Sequence, residues 1–315
     1  MDITVILCTF NRSQSLSKAL ASIAAQVLPD PVKWEVLVVD NNSRDKTREV
    51  VNKFRCQYPN RFRYLFEPQP GKSHALNAGI QEACGDILAF MDDDVIVEPT
   101  WLENLTSALR NGDWAGTGGR IVPGWNCSPP RWLPRSGQYA LAPLAAFDLG
   151  LEAGPLLEPP FGTNMAFRRA MFDKYSGFRT DLGLRPGSEI RNEDTEFGLR
   201  LLVAGERLHY EPSAVVYHPV PQNRLRKGYF LAWWFAKARA DIRQYGVPPE
   251  TKWYIGGIPM YLFRRLAVWT ARWLVTFEPS RRFSCKLKAW SIVGGIVECY
   301  RQSRTGKMAV RTELT

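Results

Sequence analysis

The run Ile87-Leu88-Ala89-Phe90-Met91 leads without a break into Asp92-Asp93-Asp94-Val95. A short apolar run after a glycine predicts a buried strand. Three carboxylates cannot follow it into the core, because an unpaired buried charge loses its hydration. They must lie where the strand leaves the sheet, and in an open α/β sheet that end is where ligands bind. Adjacent carboxylates repel unless a cation sits among them, and hard oxygen donors suit Mg2+ or Mn2+. Mg2+ is commonly held by one or two carboxylates together with substrate phosphate oxygens. The stretch therefore points to a metal–diphosphate site, set against the plainer reading of a solvated acidic turn.

Working outward, Ile3-Thr4-Val5-Ile6-Leu7-Cys8-Thr9 is a β-branched run ending in the polar turn Asn11-Arg12-Ser13. It reads as a central parallel strand. Leu16, Leu20, Ile23 and Val27 recur at helical spacing over 13–27. Residues 34–39 form a second strand ending at Asp40-Asn41-Asn42-Ser43, 43–58 a helix, 62–66 a strand, and 73–84 a helix before the strand at 86–91. This alternation predicts one Rossmann-like, mostly parallel sheet flanked by helices. The turn after the first strand holds no glycine, and Phe66 stands where a phosphate loop ending at Gly71-Lys72-Ser73 needs its first glycine. Neither nucleotide motif is therefore present in its usual form.

The chain has 315 residues, 45% hydrophobic and 12% aromatic, enough for about two cored domains. Six cysteines (8, 56, 84, 127, 285, 299) show no metal-finger or Cys-x-x-Cys spacing and read as reduced, mostly buried thiols. Met1-Asp2-Ile3-Thr4-Val5 lacks the basic region and length of a signal peptide, so a cytoplasmic location is expected. Charge divides the chain. Residues 220–315 hold 18 Lys/Arg and 5 Asp/Glu, a net of +13, whereas residues 1–219 net −3. Such asymmetry points to an anionic surface as partner of the C-terminal part.

Six stretches, in order and spacing, resemble family 2 glycosyltransferases. They are Cys8-Thr9-Phe10-Asn11-Arg12, Val38-Val39-Asp40-Asn41-Asn42-Ser43, Gly71 to Gly79, Phe90 to Asp94, Gly162-Thr163-Asn164-Met165-Ala166-Phe167-Arg168, and Asn192-Glu193-Asp194-Thr195-Glu196. The resemblance covers residues 2–220. It implies the GT-A fold for a catalytic domain at 1–220, with a basic, mostly helical extension at 221–315. It further implies an inverting, metal-dependent enzyme that uses Mn2+ or Mg2+. Such an enzyme moves a sugar from a nucleotide-diphosphate donor, UDP-linked by expectation, to a hydroxyl of a glycan or polyprenol-linked glycan.

By the same resemblance, Asp40 meets the base and ribose, with Thr9, Asn11 and Arg12 lining that pocket. A carboxylate at a strand end can accept base N–H or ribose O–H groups, although an Asx turn is its plain alternative. Lys72 and Asn77 lie near the diphosphate and sugar, where a helix N-terminus offers N–H groups to anions. Asp94 coordinates the metal, Asp92 meets ribose or metal, Asp93 faces the sugar, and Asn164 belongs to the donor site. His218, after Ala214-Val215-Val216-Tyr217, is the expected third metal ligand at a strand end, with a satisfied structural histidine as its alternative. Asp194, with Glu193 beside it, is the expected catalytic base, since an inverting displacement needs a carboxylate to take the acceptor's proton. Capping of the helix that follows is the alternative for these two.

Residues 120–161 hold eight prolines with Trp125, Trp132 and Tyr139 among them, which excludes long regular elements. They read either as an acceptor-binding loop with sugar-stacking faces or as a packed connection. Beyond residue 222, Tyr229 to Ala236 is apolar between basic flanks. Ile258 to Phe277 joins Leu, Trp and Tyr with Arg264, Arg265 and Arg272. No uncharged stretch reaches the ~20 residues of a membrane span. The pattern reads as a helix lying on an anionic membrane, at the inner face of the cell membrane, or as one packed on the catalytic domain. Nucleic acid has no motif in its favour, and the residues from about Ser303 read as a mobile tail. The reading from another class is a non-catalytic subunit that binds nucleotide-sugar or glycan, which the acidic signatures oppose.

Overall fold

A computed structural model describes residues 2–125, 128–133 and 141–305. Tyr139, expected as a sugar-stacking face, and Cys127, expected as a reduced thiol, fall outside these residues, as does the stretch beyond Thr305. Of the expected tail, residues 303–305 are helical and the rest lies outside the described residues.

Four strands alternate with helices at the start: β1 (Ile3–Thr9), α1 (Ser13–Ala24), β2 (Trp34–Asp40), α2 (Thr47–Gln57), β3 (Phe62–Phe66), α3 (Lys72–Glu82) and β4 (Ile87–Asp92). They pair in parallel in the order β3-β2-β1-β4. Successive side chains of a strand face opposite sides, and the packing follows that alternation. Val5, Leu7, Val36, Val38, Ala89 and Met91 pack on one side with Leu16, Leu20 and Ile23 of α1. Ile6, Leu37, Val39, Leu88 and Phe90 pack on the other with Ala75 and Leu76 of α3. Both faces are covered, so the strands read as continuous apolar runs.

The remainder of the sheet is antiparallel. β5 (Ile96–Val97), α4 (Trp101–Asn111), β6 (Gly116–Trp125), β7 (Gly154–Leu156), β8 (Asn164–Arg168), α5 (Arg169–Tyr175), α6 (Glu193–Val203) and β9 (Leu208–Val220) follow in sequence. β8 pairs antiparallel with β4, and the sheet continues through β6, β9 and β5, with β7 on β9. His218 was expected at a strand end; it sits inside β9 and is buried.

Two compact units emerge. The first comprises residues 1–124, 145–186 and 193–219; the second comprises 125–144, 187–192 and 220–315. The second unit thus begins its long segment at Val220, but it also takes in residues that a border at 220/221 assigns to the first. It contains α7 (Lys227–Tyr245), the hairpin β10 (Tyr254–Ile255) and β11 (Ile258–Pro259), α8 (Met260–Val275) and α9 (Pro279–Thr305). Trp132, expected as a sugar-stacking face, packs edge-on against Phe230 and Phe283 at centroid distances of 5.3 and 4.6 Å. Buried Glu298 of α9 accepts from Arg239 (2.9 Å) and Arg243 (2.6 Å) of α7. Among the described residues no helix is long and apolar enough to cross a membrane. Cys8, Cys56, Cys84, Cys285 and Cys299 are free thiols; Cys56 and Cys84 are exposed, against the expectation of burial.

Candidate active site

Parallel register brings the carboxyl ends of three strands level. Thr9 lies opposite Asp40, and Cys8 opposite both Val39 and Asp92. The end of the sheet therefore gathers residues far apart in sequence, as expected of an open α/β sheet. β8 adds Thr163 at the same end, because Asn164 pairs with Met91. α3 starts there with Lys72, and α6 with Glu193 and Asp194. Cys8, Lys72, Asp92, Gly162, Glu193 and Asp194 line one cleft.

Lys72 is the hinge of its charges. Its Nζ lies 2.9 Å from Asp92 Oδ1 and 3.4 Å from Glu193 Oε1. Thr163 Oγ1 donates to the other Asp92 oxygen at 2.7 Å. Burial alone would lower the Lys72 pKa, but Asp92 and Glu193 outweigh it and hold the ammonium charged well beyond its ordinary range. Burial would raise Asp92, yet Lys72 and the hydroxyl of Thr163 hold it far below the usual carboxylate value. Glu193 goes the other way: burial, helped by Asp194, raises it despite Lys72. Cys8 is also pushed up by burial, so its thiol stays protonated. Asp194 is held by backbone donors. Its Oδ2 accepts from the Gly162 N–H at 2.6 Å and its Oδ1 from Thr195 N–H at 2.7 Å.

A second cluster adjoins the first. Arg12 Nη1 reaches Asp93 Oδ1 at 3.1 Å and Asp94 Oδ2 at 2.8 Å. Thr9 Oγ1 donates to Asp93 at 2.7 Å. Burial dominates Asp93 and lifts its pKa to about 6, although Arg12 opposes the shift. His218 Nε2 stands 3.6 Å from Asp94 Oδ1. An imidazole nitrogen facing a carboxylate oxygen is a donor pair compatible with a divalent ion such as Mn2+. The expected trio of Asp92, Asp94 and His218 is not gathered, however. Asp92 is turned to Lys72 and Thr163, and among the described residues no three His, Cys, Asp or Glu side chains converge on one point. The pair fits an ion whose other ligands come from phosphate and water.

The remaining expected residues divide between the pocket and its frame. Asp40 is buried; it accepts from Ser43 N–H at 2.9 Å, closing a turn, and from Tyr64 O–H at 2.8 Å. Asn11, at φ 52°, uses its side-chain oxygen to accept from Arg44 N–H, tying the β1–α1 and β2–α2 loops together. Asn77 clamps the backbone of Phe178 in both directions at 2.8 Å. The first amide of α3 donates to Leu184 O at 2.8 Å, so it is not open to an anion as expected. Asn164 is a correction. It is fully buried, donates to Arg120 O and Ala214 O, accepts from Trp101 Nε1, and does not reach the cleft. Its neighbour Thr163 instead bonds to Asp92, which lines the cleft. Asn41 was also missed as a frame residue; it joins Gly71 N–H to the carbonyls of Glu67 and Gln69.

This arrangement belongs to a known class. Residues 4–176 match the model of glycosyl transferase family 2, and the chain belongs to that family. It is a glycosyltransferase with the GT-A fold. It is 29% identical over 242 residues to succinoglycan biosynthesis protein ExoM of Rhizobium meliloti, covering 76% of this chain and 72% of that one. It is 27% identical over 238 residues to a glucosyl-dolichyl phosphate glucuronosyltransferase of Haloferax volcanii, covering 71% of each. Among solved structures, mannosyltransferase PcManGT from Pyrobaculum calidifontis, in complex with GDP-Man and Mn2+, superposes with a TM-score of 0.57 at 20% identity, over 96% of this chain and 75% of that chain. S. aureus TarS in complex with UDP-GlcNAc gives 0.51 at 16%, over 98% and 93%.

Proposed function

We propose that the protein transfers a sugar, with inversion, from a UDP-sugar to a hydroxyl of a glycan or lipid-linked glycan during cell-surface polysaccharide synthesis. One observation carries the reading: Asp194 and Glu193 share a cleft with Lys72 and Asp92, although 20 residues separate Lys72 from Asp92 and 32 separate Gly162 from Asp194. Asp194 is the base. Two backbone N–H groups fix its orientation; Oδ1 also accepts from Thr195 Oγ1 at 3.3 Å, and Oδ2 keeps a lone pair for the acceptor's proton. As that proton moves to Asp194, the acceptor oxygen bonds to the anomeric carbon and the bond to the diphosphate oxygen breaks with its electron pair. Lys72, kept cationic, faces the departing diphosphate. Thr9, Arg12 and Asp40 at the ends of β1 and β2 receive the nucleoside. Asp94 and His218 would hold a divalent ion, which when bound offsets charge on the leaving group. The two relatives support the acceptor class, since one serves succinoglycan synthesis and the other glucuronosylates glucosyl-dolichyl phosphate. PcManGT and TarS, solved with GDP-Man and UDP-GlcNAc, support a nucleotide-sugar donor.

Asp194→Asn tests the assignment. Release of nucleoside diphosphate in the presence of acceptor should fall by about 10²–10⁴-fold, with calorimetric affinity for UDP unchanged. Near-normal release would remove Asp194 from the mechanism. Tighter calorimetric binding of GDP or dTDP than of UDP, each with Mn2+ present, would overturn the donor assignment. UDP affinity unaltered by EDTA would overturn the role of the ion.

A further inference from the structure

We propose that the outward face of α8, together with the hairpin before it, docks on the surface of an anionic lipid bilayer. Eight of the nineteen exposed large apolar side chains among the described residues fall within residues 253–277. Trp253 is 73% exposed, Val275 70% and Phe277 86%, joined by Ile255, Val268 and Leu274. α8 packs on its own unit through Tyr261, Leu262, Leu266 and Trp269, and its other side leaves Val268, Leu274 and Val275 exposed. The hairpin turns through Gly256 and Gly257, both at positive φ, and keeps Trp253 and Ile255 in solvent at the head of the helix.

Residues 251–290 carry eight Lys/Arg against one acidic residue, a net of +7, and α8 itself contains three arginines and no Asp or Glu. Arg264, Arg265 and Arg272 are exposed on the helix that presents the apolar side chains. The two half-buried tryptophans of α8 are topped by cations: Arg272 and Lys288 lie 4.7 and 4.2 Å from the Trp269 ring, and Lys286 5.1 Å from Trp273. Indole rings beside basic groups are the composition of a membrane–water interface.

The combination selects the occupant. A second copy of the same face would bring +7 against +7. A nucleic acid would satisfy the cations but leave Phe277, Val275 and Trp253 in water. A bilayer with anionic headgroups meets both demands, phosphates for the arginines and the acyl boundary for the apolar side chains. α8 has 16 residues, about 24 Å of helix, with arginines along it, so it lies in the interface rather than crossing the bilayer.

Vesicle flotation of the full chain tests this independently of any transferase activity. The vesicles would contain two parts phosphatidylcholine to one part phosphatidylglycerol, with phosphatidylcholine alone as the comparison. The chain should float with the anionic vesicles at low salt and be released at high salt. Arg264→Glu with Arg265→Glu should weaken binding by at least about fivefold for each cation removed. Trp253→Ser with Phe277→Ser should weaken it by about tenfold or more. All four side chains are exposed and lie outside the catalytic cleft, so circular dichroism and UDP affinity should match the wild type. Undiminished flotation of either variant, or equal flotation with both vesicle types, would overturn the proposal. So would a dimer in sedimentation that Trp253→Ser with Phe277→Ser dissociates, without flotation, which would give the face to a second copy.

Discussion

Asn164 stands one residue from a cleft that it never enters. Its amide satisfies Arg120 O, Ala214 O and Trp101 Nε1 at once, deep in the sheet. Asn164→Ala would leave three buried groups without partners, which costs about 2–4 kcal/mol. A fall in thermal midpoint with UDP affinity intact would separate this framing role from a donor-binding one; intact stability with lost affinity would reverse it. The confusion was built into the sequence. Residues 162–164 announce a polar stretch at a strand start, but which of two adjacent side chains faces the core depends on strand phase. That phase is set by the pairing of Asn164 with Met91, 73 positions away. Asp92, Glu193 and Asp194 were easier to place, because carboxylates flanking an apolar run or opening a helix have few places to go. The partnership of Lys72 with both acidic segments was not legible, since nothing local relates α3 to α6.

At the scale of elements, the parallel half was legible because each strand is a continuous apolar run and each helix shows helical spacing. The antiparallel half was less so. Residues 116–119, Gly-Thr-Gly-Gly, lack the β-branched signature of a strand. They form β6 by pairing with β8, and glycine stands at 116 because a Cβ there would fall 2.3 Å from the Phe167 ring. The same close approach positions α3. A Cβ at Gly79 would lie 2.7 Å from Ile6 and 3.1 Å from Val39, both fully buried methyl groups of the sheet. Gly79→Ala gains up to about 1 kcal/mol of helix propensity and loses about 1–3 kcal/mol to overpacking. The loss should win, because neither methyl group has room to retreat. Denaturation should show a net destabilisation of about 1–2 kcal/mol. UDP should bind more weakly as α3 carries Lys72 outward. An unchanged midpoint would mean that the helix has slack against the sheet.

For the whole molecule, the two units keep separate cores. One set lies on the two faces of the large sheet; the other is built from α7, α8 and α9 with Trp132, Leu133, Leu141, Ala142 and Leu144. The second is tied by a buried carboxylate: Glu298 pairs with Arg239 and Arg243 together. Glu298→Ala removes the buried carboxylate that Arg239 and Arg243 share, at a cost of about 3–5 kcal/mol. Amide hydrogen exchange should then accelerate in α7 and α9 while β1, β2 and β4 keep their protection and UDP affinity is unchanged. Uniform acceleration through both units would show that they unfold as one. The composition of the C-terminal third foretold its basic character and its helices, but not its recruitment of residues 125–144, whose proline-rich texture carries no periodicity to match.

The order of the strands along the chain has a consequence in time. β4 is made long before its neighbour β8, and Thr163 must arrive 71 residues later to close on Asp92. Asn77 waits 101 residues for Phe178. At roughly 5–20 residues per second of synthesis, the first delay is about 4–14 s. Through that interval the nascent chain carries an open apolar strand edge, the kind that adheres to other chains. Translation that stalls between β4 and β8 would therefore release a sticky half-sheet, whereas a stall after β9 would release a complete one.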